Sequence, residues 1–405
     1  MKRILVFLII SAMLLTVTAC GNTAGTATST TTSSTTAPTT APSMVPSTDG
    51  QLYTELGIPL EQTYQRGGIE RNPWDIEMYQ GRLYVGSGDY DKNRGPVNLW
   101  YYDFDKKTWE IDTFLEDEQA GRFCIIDDKL YVPGIDPRCS WDMGSYYRLN
   151  GTEWDMLVTL PNALHNFDIV KYDGKLFAAL GSKECCSPIL VTTDEETWEP
   201  VELYKDGKVV DTTGYTYVRI YDFFTLNGEL YAYFSLSQSG KPSYHEFYRY
   251  DGERFVWHSN MIDDMKFGRG NTYTHFQQKA EFNGYQYITN GNLYRSSDMI
   301  TAESIVPEGD PEVTDLRVIG DTLYALCCEK YTTEDGNTAF YNSLRASKDG
   351  KTYTEVFRFS YPVRALSFTY ESGTVFLGMG FGTKAAEDRS MYDENGMILA
   401  INRVL

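Results

Sequence analysis

Several features common in enzymes are missing from this sequence. Histidine is scarce, with 4 among 405 residues. There is no nucleophile elbow, zinc-binding histidine pair or phosphate-binding loop. After the N-terminal segment, no apolar stretch is long enough to cross a membrane. The net charge of −20 opposes binding to nucleic acid or to an anionic membrane surface. We therefore expect no nucleic-acid partner.

The first twenty residues have the three-part layout of a secretory signal. Lys2 and Arg3 supply positive charge, Ile4 to Leu15 is an apolar run, and small residues lead to Val17-Thr18-Ala19-Cys20. These last four residues resemble the bacterial lipobox. The resemblance implies a signal peptide at residues 1–19 and a lipidated Cys20. We expect a lipid-anchored protein on the outside of a bacterial cell membrane.

The next segment predicts a tether. Residues 22–48 consist almost entirely of Thr, Ser, Ala, Gly and Pro. Such a composition has nothing to bury and stays disordered. We therefore divide the chain into the signal peptide, the lipidated cysteine and tether at 20–48, and a domain at 49–405. That domain is too long for one ordinary core but suits a repeat fold.

One phrase recurs seven times in this domain, and it predicts β-hairpins. It consists of an apolar residue, a tight turn, and an apolar-aromatic strand. Its copies begin at Tyr79, Ile126, Tyr172, Leu226, Phe282, Ile319 and Tyr370. Successive copies lie 37 to 56 residues apart, a spacing typical of propeller blades. We predict an all-β fold, a seven-bladed β-propeller of four-stranded antiparallel blades.

A second hairpin follows the phrase in some copies. Its pattern, Ser/Thr-x-Asp-x-x-Thr-aromatic, occurs at 192–198 and 347–353. It resembles a degenerate Asp-box, the turn of sialidase-like propellers, within kelch-like repeats. The resemblance implies that the Asp binds its own turn and that Trp109, Trp154, Trp198 and Trp257 are structural. Because unrelated propellers share this turn, it says little about activity.

The two ends of the domain complement each other. Met397–Asn402 is the third strand of a blade that lacks a fourth strand. Gln51–Leu56 resembles the fourth strand at Lys351–Val356. We therefore predict that the N-terminal strand completes the last blade, which removes a free edge.

The two faces of the predicted ring differ in their connections. Turns within the two hairpins of each blade are short and emerge on one side, the turn face. The remaining connections form the loop face. Long loops on a rigid scaffold concentrate binding residues, so we expect the site on the loop face and at the channel mouth. The long segments are 86–98, 134–145, 181–188, 204–217, 237–245, 259–275, 329–342 and 378–395.

Polar residues recur eleven positions before the leucine of the phrase, or before Gln286 in the fifth copy, where the innermost strand starts. They are Asn72, Gln119, His165, Arg219, His275 and Glu312, with Arg364 close by in the seventh copy. Two histidines and two arginines at one level suit a carboxylate. We therefore predict His165, Arg219, His275 and Arg364 as ligand-binding residues. The alternative is that they are loop residues and strand caps with local partners.

Two further loop features are candidates for binding. Trp74 and Trp141 do not occupy the tryptophan position of the repeat, so they are candidates for stacking on a sugar ring. Asp89, Asp91 and Asn93 place oxygen ligands at alternate positions, as a calcium loop does. The glycine falls one place late and no Glu follows at the twelfth position, so a solvated acidic turn is the alternative. No other cofactor is expected.

Six cysteines follow Cys20. Cys124 and Cys139 lie on successive predicted strands, which suggests a disulfide bridge outside the cytoplasm. Cys185-Cys186 and Cys327-Cys328 are adjacent pairs whose side chains point to opposite faces of a strand. They are either strained bridges or buried free thiols. The lack of nearby histidine argues against a metal site.

These observations favour a monomeric, membrane-anchored binding protein over an enzyme. Its loop face would capture a glycan or a peptide. Two alternatives stay open. A polysaccharide lyase or glycosidase acting on acidic glycans would use His165 or His275 as the base, with an arginine holding a uronate carboxylate. An envelope scaffold would instead bind a cell-surface protein through the loop face. A histidine within about 3 Å of a tyrosine at the channel mouth would favour the enzyme.

Overall fold

The computed structural model describes residues 52–59, 68–89, 95–137, 143–182, 187–237, 244–261, 265, 278–289, 291–382 and 393–402. Within these ranges the chain forms β-strands and one short 3₁₀ helix, Ile69–Arg71, which confirms the all-β class. No helix in these ranges has the length and hydrophobicity to span a membrane. The predicted signal peptide, Cys20 and the tether lie outside the described residues.

Four of the sheets contain four antiparallel strands each, and these strands follow one another in chain order. The first contains β2 (Asp75–Tyr79), β3 (Arg82–Gly86), β4 (Val97–Asp103) and β5 (Thr108–Leu115). The second contains β6 (Cys124–Ile126), β7 (Lys129–Pro133), β8 (Met143–Asn150) and β9 (Glu153–Pro161). The third contains β20 (Gln278–Phe282), β21 (Tyr285–Thr289), β22 (Leu293–Ser296) and β23 (Glu303–Ile305). The fourth contains β24 (Glu312–Ile319), β25 (Thr322–Thr332), β26 (Thr338–Ser347) and β27 (Thr354–Tyr361).

A fifth four-stranded sheet combines the two ends of the domain, as predicted. Its strands are β28 (Arg364–Glu371), β29 (Thr374–Gly380), β30 (Ile398–Asn402) and β1 (Thr54–Gly57), with β1 at the edge beside β30. The pairing is antiparallel and places Thr54 opposite Ala400. Trp109 of β5 donates its indole N–H to the carbonyl oxygen of Leu56 at 2.8 Å. This bond connects the first sheet to the last.

The remaining ten strands form a single sheet, where the sequence predicted two separate blades. One four-stranded meander contains β10 (Ala163–Tyr172), β11 (Lys175–Ser182), β12 (Ile189–Thr192) and β13 (Glu199–Pro200). The other contains β16 (Tyr217–Leu226), β17 (Glu229–Ser237), β18 (Tyr244–Tyr250) and β19 (Phe255–Ser259). Two residue pairs, Gly181 with Arg219 and Ser182 with Val218, join β11 to β16. The two short strands left are β14 (Leu203–Lys205) and β15 (Lys208–Val209).

Two segments predicted as open loops are strands instead. Part of segment 204–217 belongs to β14 and β15, and β14 pairs in parallel with β19, placing Leu203 opposite Phe255. This pairing satisfies the backbone of β19, which would otherwise be an exposed edge. Most of segment 329–342 extends the hairpin of β25 and β26, where Tyr331 pairs with Ala339. The loop face therefore has fewer irregular connections than the sequence predicted.

The predicted turns have the expected backbone geometry. Asp173 and Gly174 have φ angles of 49° and 74°, and Asn227 and Gly228 have φ angles of 53° and 77°. Positive φ at both central residues is the type I′ turn that matches the twist of a hairpin. In the second hairpin, Asp194 accepts the backbone N–H of Thr197 at 2.8 Å. The aspartate therefore caps its own turn.

The first strands of the meanders line a central channel. These inner strands are β2, β6, β10, β16, β20, β24 and β28, and they contact one another around the channel. The backbone N–H of Phe123, next to β6, donates to Asp75 of β2 at 2.8 Å. The fold is thus a propeller-like ring of antiparallel four-stranded units around one channel.

Candidate functional site

Backbone bridges join neighbouring meanders at the loop-face end of the inner strands. Isolated bridges pair Gly88 with Gln119, Ile135 with His165, and Gly291 with Val313. The pair of Gly181 and Arg219 lies at the equivalent place between β11 and β16. The repeat in the sequence aligned three of these residues, Gln119, His165 and Arg219. The bridges show that they are equivalent in the fold.

His165 is held between an acid and a guanidinium. It is buried, and its Nδ1 lies 2.6 Å from Oδ1 of Asp136. Its Nε2 lies 3.2 Å from Nη2 of Arg219. Because a guanidinium only donates, Nε2 accepts this bond and Nδ1–H donates to Asp136. The two contacts select one neutral tautomer of His165.

Burial and neighbouring charges shift the pKa values of His165 and Asp136. Burial is the main cause that lowers the pKa of His165, and the charge of Arg219 lowers it further. Burial raises the pKa of Asp136, but contacts with His165 and Glu118 and the charge of Arg219 together outweigh burial, so the pKa of Asp136 ends below its ordinary value. At neutral pH the arrangement is an ionised Asp136, a neutral His165 and a cationic Arg219.

Arg219 is set apart from other arginines by its neutral partners. Its guanidinium carbon lies 4.9 Å from the ring centre of Tyr217, and Nη1 donates to the hydroxyl of Tyr221 at 3.0 Å. A carboxylate pairs with Arg82, Arg122, Arg148, Arg249, Arg254, Arg295, Arg317, Arg345, Arg358 and Arg364. Within the described ranges, no carboxylate forms a salt bridge with Arg219.

The other predicted ligand-binding residues are placed differently. Both oxygens of Glu312 accept from Nη1 of Arg364, at 2.8 and 2.9 Å. Trp74 is half-buried and donates its indole N–H to the carbonyl oxygen of Gly88 at 2.7 Å. His275 and Trp141 lie outside the described residues. Of the predicted set, the structure therefore brings His165 and Arg219 together, while Glu312 occupies Arg364.

The structure describes only some of the residues predicted to bind calcium or to form a disulfide. Asp91 and Asn93 lie outside the described residues, and Asp89 is buried. The described part of the chain has no group of three or more His, Cys, Asp or Glu side chains placed to hold a metal.

Cys124 is a free thiol, so its predicted bridge to Cys139 is wrong. Its Sγ lies 3.8 Å from Oδ1 of Asp168, and burial raises the pKa of this thiol to about 12.

The adjacent cysteines that the structure describes are not bridged. Cys327 and Cys328 are both free and buried. They lie on β25, where consecutive side chains point to opposite faces of the strand. Cys185 and Cys186 lie outside the described residues. The interpretation as buried free thiols therefore applies to Cys327 and Cys328.

A second ring of polar residues lies deeper in the channel, and the sequence analysis missed it. Counting back four from the first residue of the phrase finds it: Asp75, Arg122, Asp168, Asp222, Gln278 and Asp315. We call these six residues the channel ring. Asp75, Asp168 and Asp315 accept the backbone N–H of Phe123, Phe223 and Phe368 at 2.8, 3.0 and 2.8 Å. Each bond crosses to the next meander.

β-bulges help to place the channel ring. The register shifts between Asn166 and Asp168 in β10, and between Val313 and Asp315 in β24. The same shift precedes Asp222 in β16. A bulge bends the strand and re-aims the following side chain. Asp168, Asp222 and Asp315 are therefore turned into the channel by a repeated backbone irregularity, whereas Asp75 starts β2 without one.

Three cations cross the channel wall between the aspartates. Arg122 Nη1 lies 2.7 Å from Asp222 Oδ1 and 3.3 Å from Asp168 Oδ1. Lys279 contacts the same two carboxylates. Arg317 binds a separate group, with Nη2 3.1 Å from Asp75 Oδ1 and Nη1 bonded to Glu77. Because every cation bridges different meanders, these ion pairs hold the ring together.

The buried acids of this network predict a pH-dependent stability. Burial raises the pKa of Asp315 to about 7 and that of Asp75 to about 6. Because folding raises these pKa values, the stabilising contribution is complete below the ordinary carboxyl pKa and is lost as pH rises through about 7. We expect the loss of unfolding free energy between pH 5 and pH 8 to be smaller in Asp315→Asn, by on the order of 2 kcal/mol.

Urea titrations across this pH range measure the effect. Asp173→Asn, in an exposed turn, is the matched control and should keep the wild-type pH profile. A profile of Asp315→Asn that runs parallel to that of the wild type would contradict the assignment.

A cavity of about 720 Å³ lies on the side of the channel ring that faces the turns. Its lining includes Asp127, Lys171, Thr225, Glu281 and Val318, all close to the two-residue turns that follow the inner strands. It therefore extends toward the turn face, away from His165 and Arg219. We call it the turn-side cavity. The sequence analysis placed no site on this face.

The chain resembles known proteins in structure rather than in sequence. No protein-family model matches it, and no curated protein sequence matches it. Virginiamycin B lyase from Staphylococcus aureus is similar in structure, with 10% identity, coverage of 86% of this chain and 98% of the other, and a TM-score of 0.44. An α-L-arabinanase from Penicillium chrysogenum has 14% identity, coverage of 87% and 99%, and a TM-score of 0.41. A polysaccharide lyase has 10% identity, coverage of 85% and 95%, and a TM-score of 0.43. Similarity this low carries no argument about activity.

Proposed function

We propose that the domain is a seven-bladed propeller. The ten-stranded sheet counts as two blades, because the pair of Gly181 and Arg219 that joins its halves repeats the bridges at Gln119 and His165. A joint of two residue pairs is short beside the eight pairs recorded between β10 and β11. The five separate sheets and these two meanders make seven.

We further propose that this propeller is a lipid-anchored protein outside the bacterial membrane. The support is the lipobox-like sequence ending at Cys20 and the low-complexity tether that follows it. A tether of this kind holds a folded domain away from the membrane surface while leaving it free to turn. The loop face would then meet ligands outside the cell.

The function that the geometry supports best is capture of a carboxylate-bearing ligand, a glycan or a peptide, at the loop face. The observation that carries this proposal is Arg219, a partly exposed guanidinium without a carboxylate partner among the described residues, in a chain of net charge −20. A guanidinium presents paired donors that match a carboxylate. Tyr217, 49% exposed beside it, offers a ring face to the rest of the ligand.

A binding experiment tests this proposal directly. The domain from residue 49 is screened against immobilised uronate-bearing oligosaccharides, neutral oligosaccharides and peptides, and hits are measured by calorimetry. We expect Arg219→Ala to weaken a carboxylate-bearing hit by at least about tenfold, because a charged hydrogen bond is lost. Arg249→Ala removes an exposed arginine that pairs with Glu229, so it should leave the affinity unchanged.

Two outcomes would count against capture at Arg219. An affinity unchanged in Arg219→Ala would place the ligand elsewhere. Failure of every glycan and peptide to bind would transfer support to the envelope scaffold, whose partner is a protein. Within the described residues, no specific contact favours the scaffold or a glycosidase over ligand capture.

A lyase is the second candidate, because Asp136 orients a neutral imidazole beside Arg219. A ligand carboxylate that draws the guanidinium away from His165 would uncover Nε2 as a base for the C–H next to that carboxylate. His245 contacts a tyrosine, with its Nδ1 3.2 Å from the hydroxyl of Tyr233, but it lies on β18, which is not one of the inner strands. Turnover of a uronate polymer to an unsaturated product, lost in His165→Ala while binding persists, would establish the lyase.

A further inference from the structure

The turn-side cavity has the size and the access of a ligand site. Its volume of about 720 Å³ lies within the range of small-molecule pockets, roughly 300–1,000 Å³. The turns around its mouth contain two residues each, as at Asp173-Gly174 and Asn227-Gly228. Such short turns do not fold over the opening. The cavity lies on the opposite side of the channel ring from His165 and Arg219.

Its charge is unevenly distributed. Arg122, Lys279 and Asp168 line one part of the wall, and the buried Asp222 lies behind it, so there two cations face two carboxylates. Around Arg317 the balance differs. Asp75 and Glu77 line the cavity and share this one guanidinium, which leaves a formal surplus of one negative charge at that part of the wall. Asp315 also lies beside Arg317 but is buried behind the lining residues.

The mouth of the cavity carries a second, apolar feature. Ile125 and Val318 line the cavity although they are 50% and 39% exposed. Ile125 lies on β6, next to the strand β2 that carries Glu77, whereas Val318 lies on β24, with β28 between β24 and β2. Large aliphatic side chains left in water at the rim of a pocket are typical of a ligand-binding surface. They gain from contact with an apolar part of a ligand.

We propose that the turn-side cavity is a binding site for a small organic amine, with the ammonium group at Glu77 and Asp75 and the aliphatic part against Ile125 and Val318. The ammonium supplies positive charge where two lining carboxylates, Asp75 and Glu77, share one guanidinium. The methylene groups cover the apolar rim. This site is separate from the one at Arg219, which takes a ligand of opposite charge, so each proposal can fail without the other.

Calorimetry with a matched pair of probes tests the proposal. The probes are 1,5-diaminopentane and 1,5-pentanediol, which share a carbon chain and differ in charge. We expect the diamine to bind with a defined stoichiometry of one and the diol not to bind. Glu77→Gln should weaken the diamine by about tenfold, because an ion pair to the ammonium is lost. Val318→Ala should weaken it by about threefold through lost apolar contact.

The control variant separates a specific site from general attraction to an acidic protein. Glu253→Gln removes an exposed carboxylate from another turn outside the cavity and should leave the diamine affinity unchanged. Arg219→Ala should also leave it unchanged. Circular-dichroism melts confirm that each variant is folded. No saturable binding of the diamine, or equal weakening by Glu77→Gln and Glu253→Gln, would overturn the proposal.

Discussion

Replacing Arg122 with methionine is expected to destabilise the protein by about 3–5 kcal/mol, because two buried carboxylates lose a shared partner. The side chain of Arg122 is 11% exposed, and those of its partners Asp168 and Asp222 are 4% and 0% exposed. Lys279 alone cannot neutralise both. The melting temperature should fall by about 6–10 °C, at roughly 2 °C per kcal/mol for a domain of this size.

The control for this variant is Arg249→Met. Arg249 pairs with Glu229, and both side chains are more than two-fifths exposed. Such exposed pairs contribute about 0–1 kcal/mol, so this variant should melt close to the wild type. If both arginine variants melted alike at neutral pH, the channel network would have no special role in stability.

Removing the N-terminal strand should also have a large effect. A domain lacking residues 49–58 loses β1, the indole bond from Trp109 to Leu56, and the packing of Leu52, Tyr53 and Ile58 on the core of the last sheet. Together with Leu56, which packs on a neighbouring cluster, these are four half-buried apolar side chains. At about 1 kcal/mol each they suggest a loss of about 4 kcal/mol. We expect the melting temperature to fall by about 8 °C.

The uncovered edge of β30 supplies a second readout. An unpaired strand with apolar neighbours recruits other chains, so the truncated domain should associate at high concentration in analytical ultracentrifugation. The domain that begins at residue 49 is the control. A truncated domain that stayed monomeric and melted with the control would show that β1 does not close the ring.

The parts of the fold that local chemistry decides were predictable from sequence. Two-residue turns such as Asn227-Gly228 require positive φ, and few residue types supply it, so they mark hairpins in the sequence. The repeat then predicted the meanders. Likewise the similarity of Gln51–Leu56 to a fourth strand predicted the pairing of β1 with β30. Counting positions also identified Gln119, His165 and Arg219 as equivalent.

The parts that depend on distant contacts were not predictable in the same way. Arg317 and Asp75 are 242 positions apart, and the sequence around either residue does not indicate that the other is its partner. Arg364 looked as suitable for a ligand as Arg219, because only the fold shows that Glu312 holds it. The pairing of β14 with β19 depends on how a connection wraps around an edge. A pattern of charges in sequence gives candidates, whereas the assignment of partners needs coordinates.

The backbone bridges around the loop face determine which of their positions tolerate substitution. At two of the bridges one partner is sterically fixed: a Cβ on Gly88 would lie 2.3 Å from the carbonyl oxygen of Glu118, and a Cβ on Gly181 would lie 2.5 Å from His165. The other partner contributes main-chain atoms, so its side chain is not needed to hold the ring. Gln119 and Arg219 occupy such positions. Substitutions there can therefore retune recognition at little cost in folding, which makes the rim a natural starting point for directed evolution of new binding specificities.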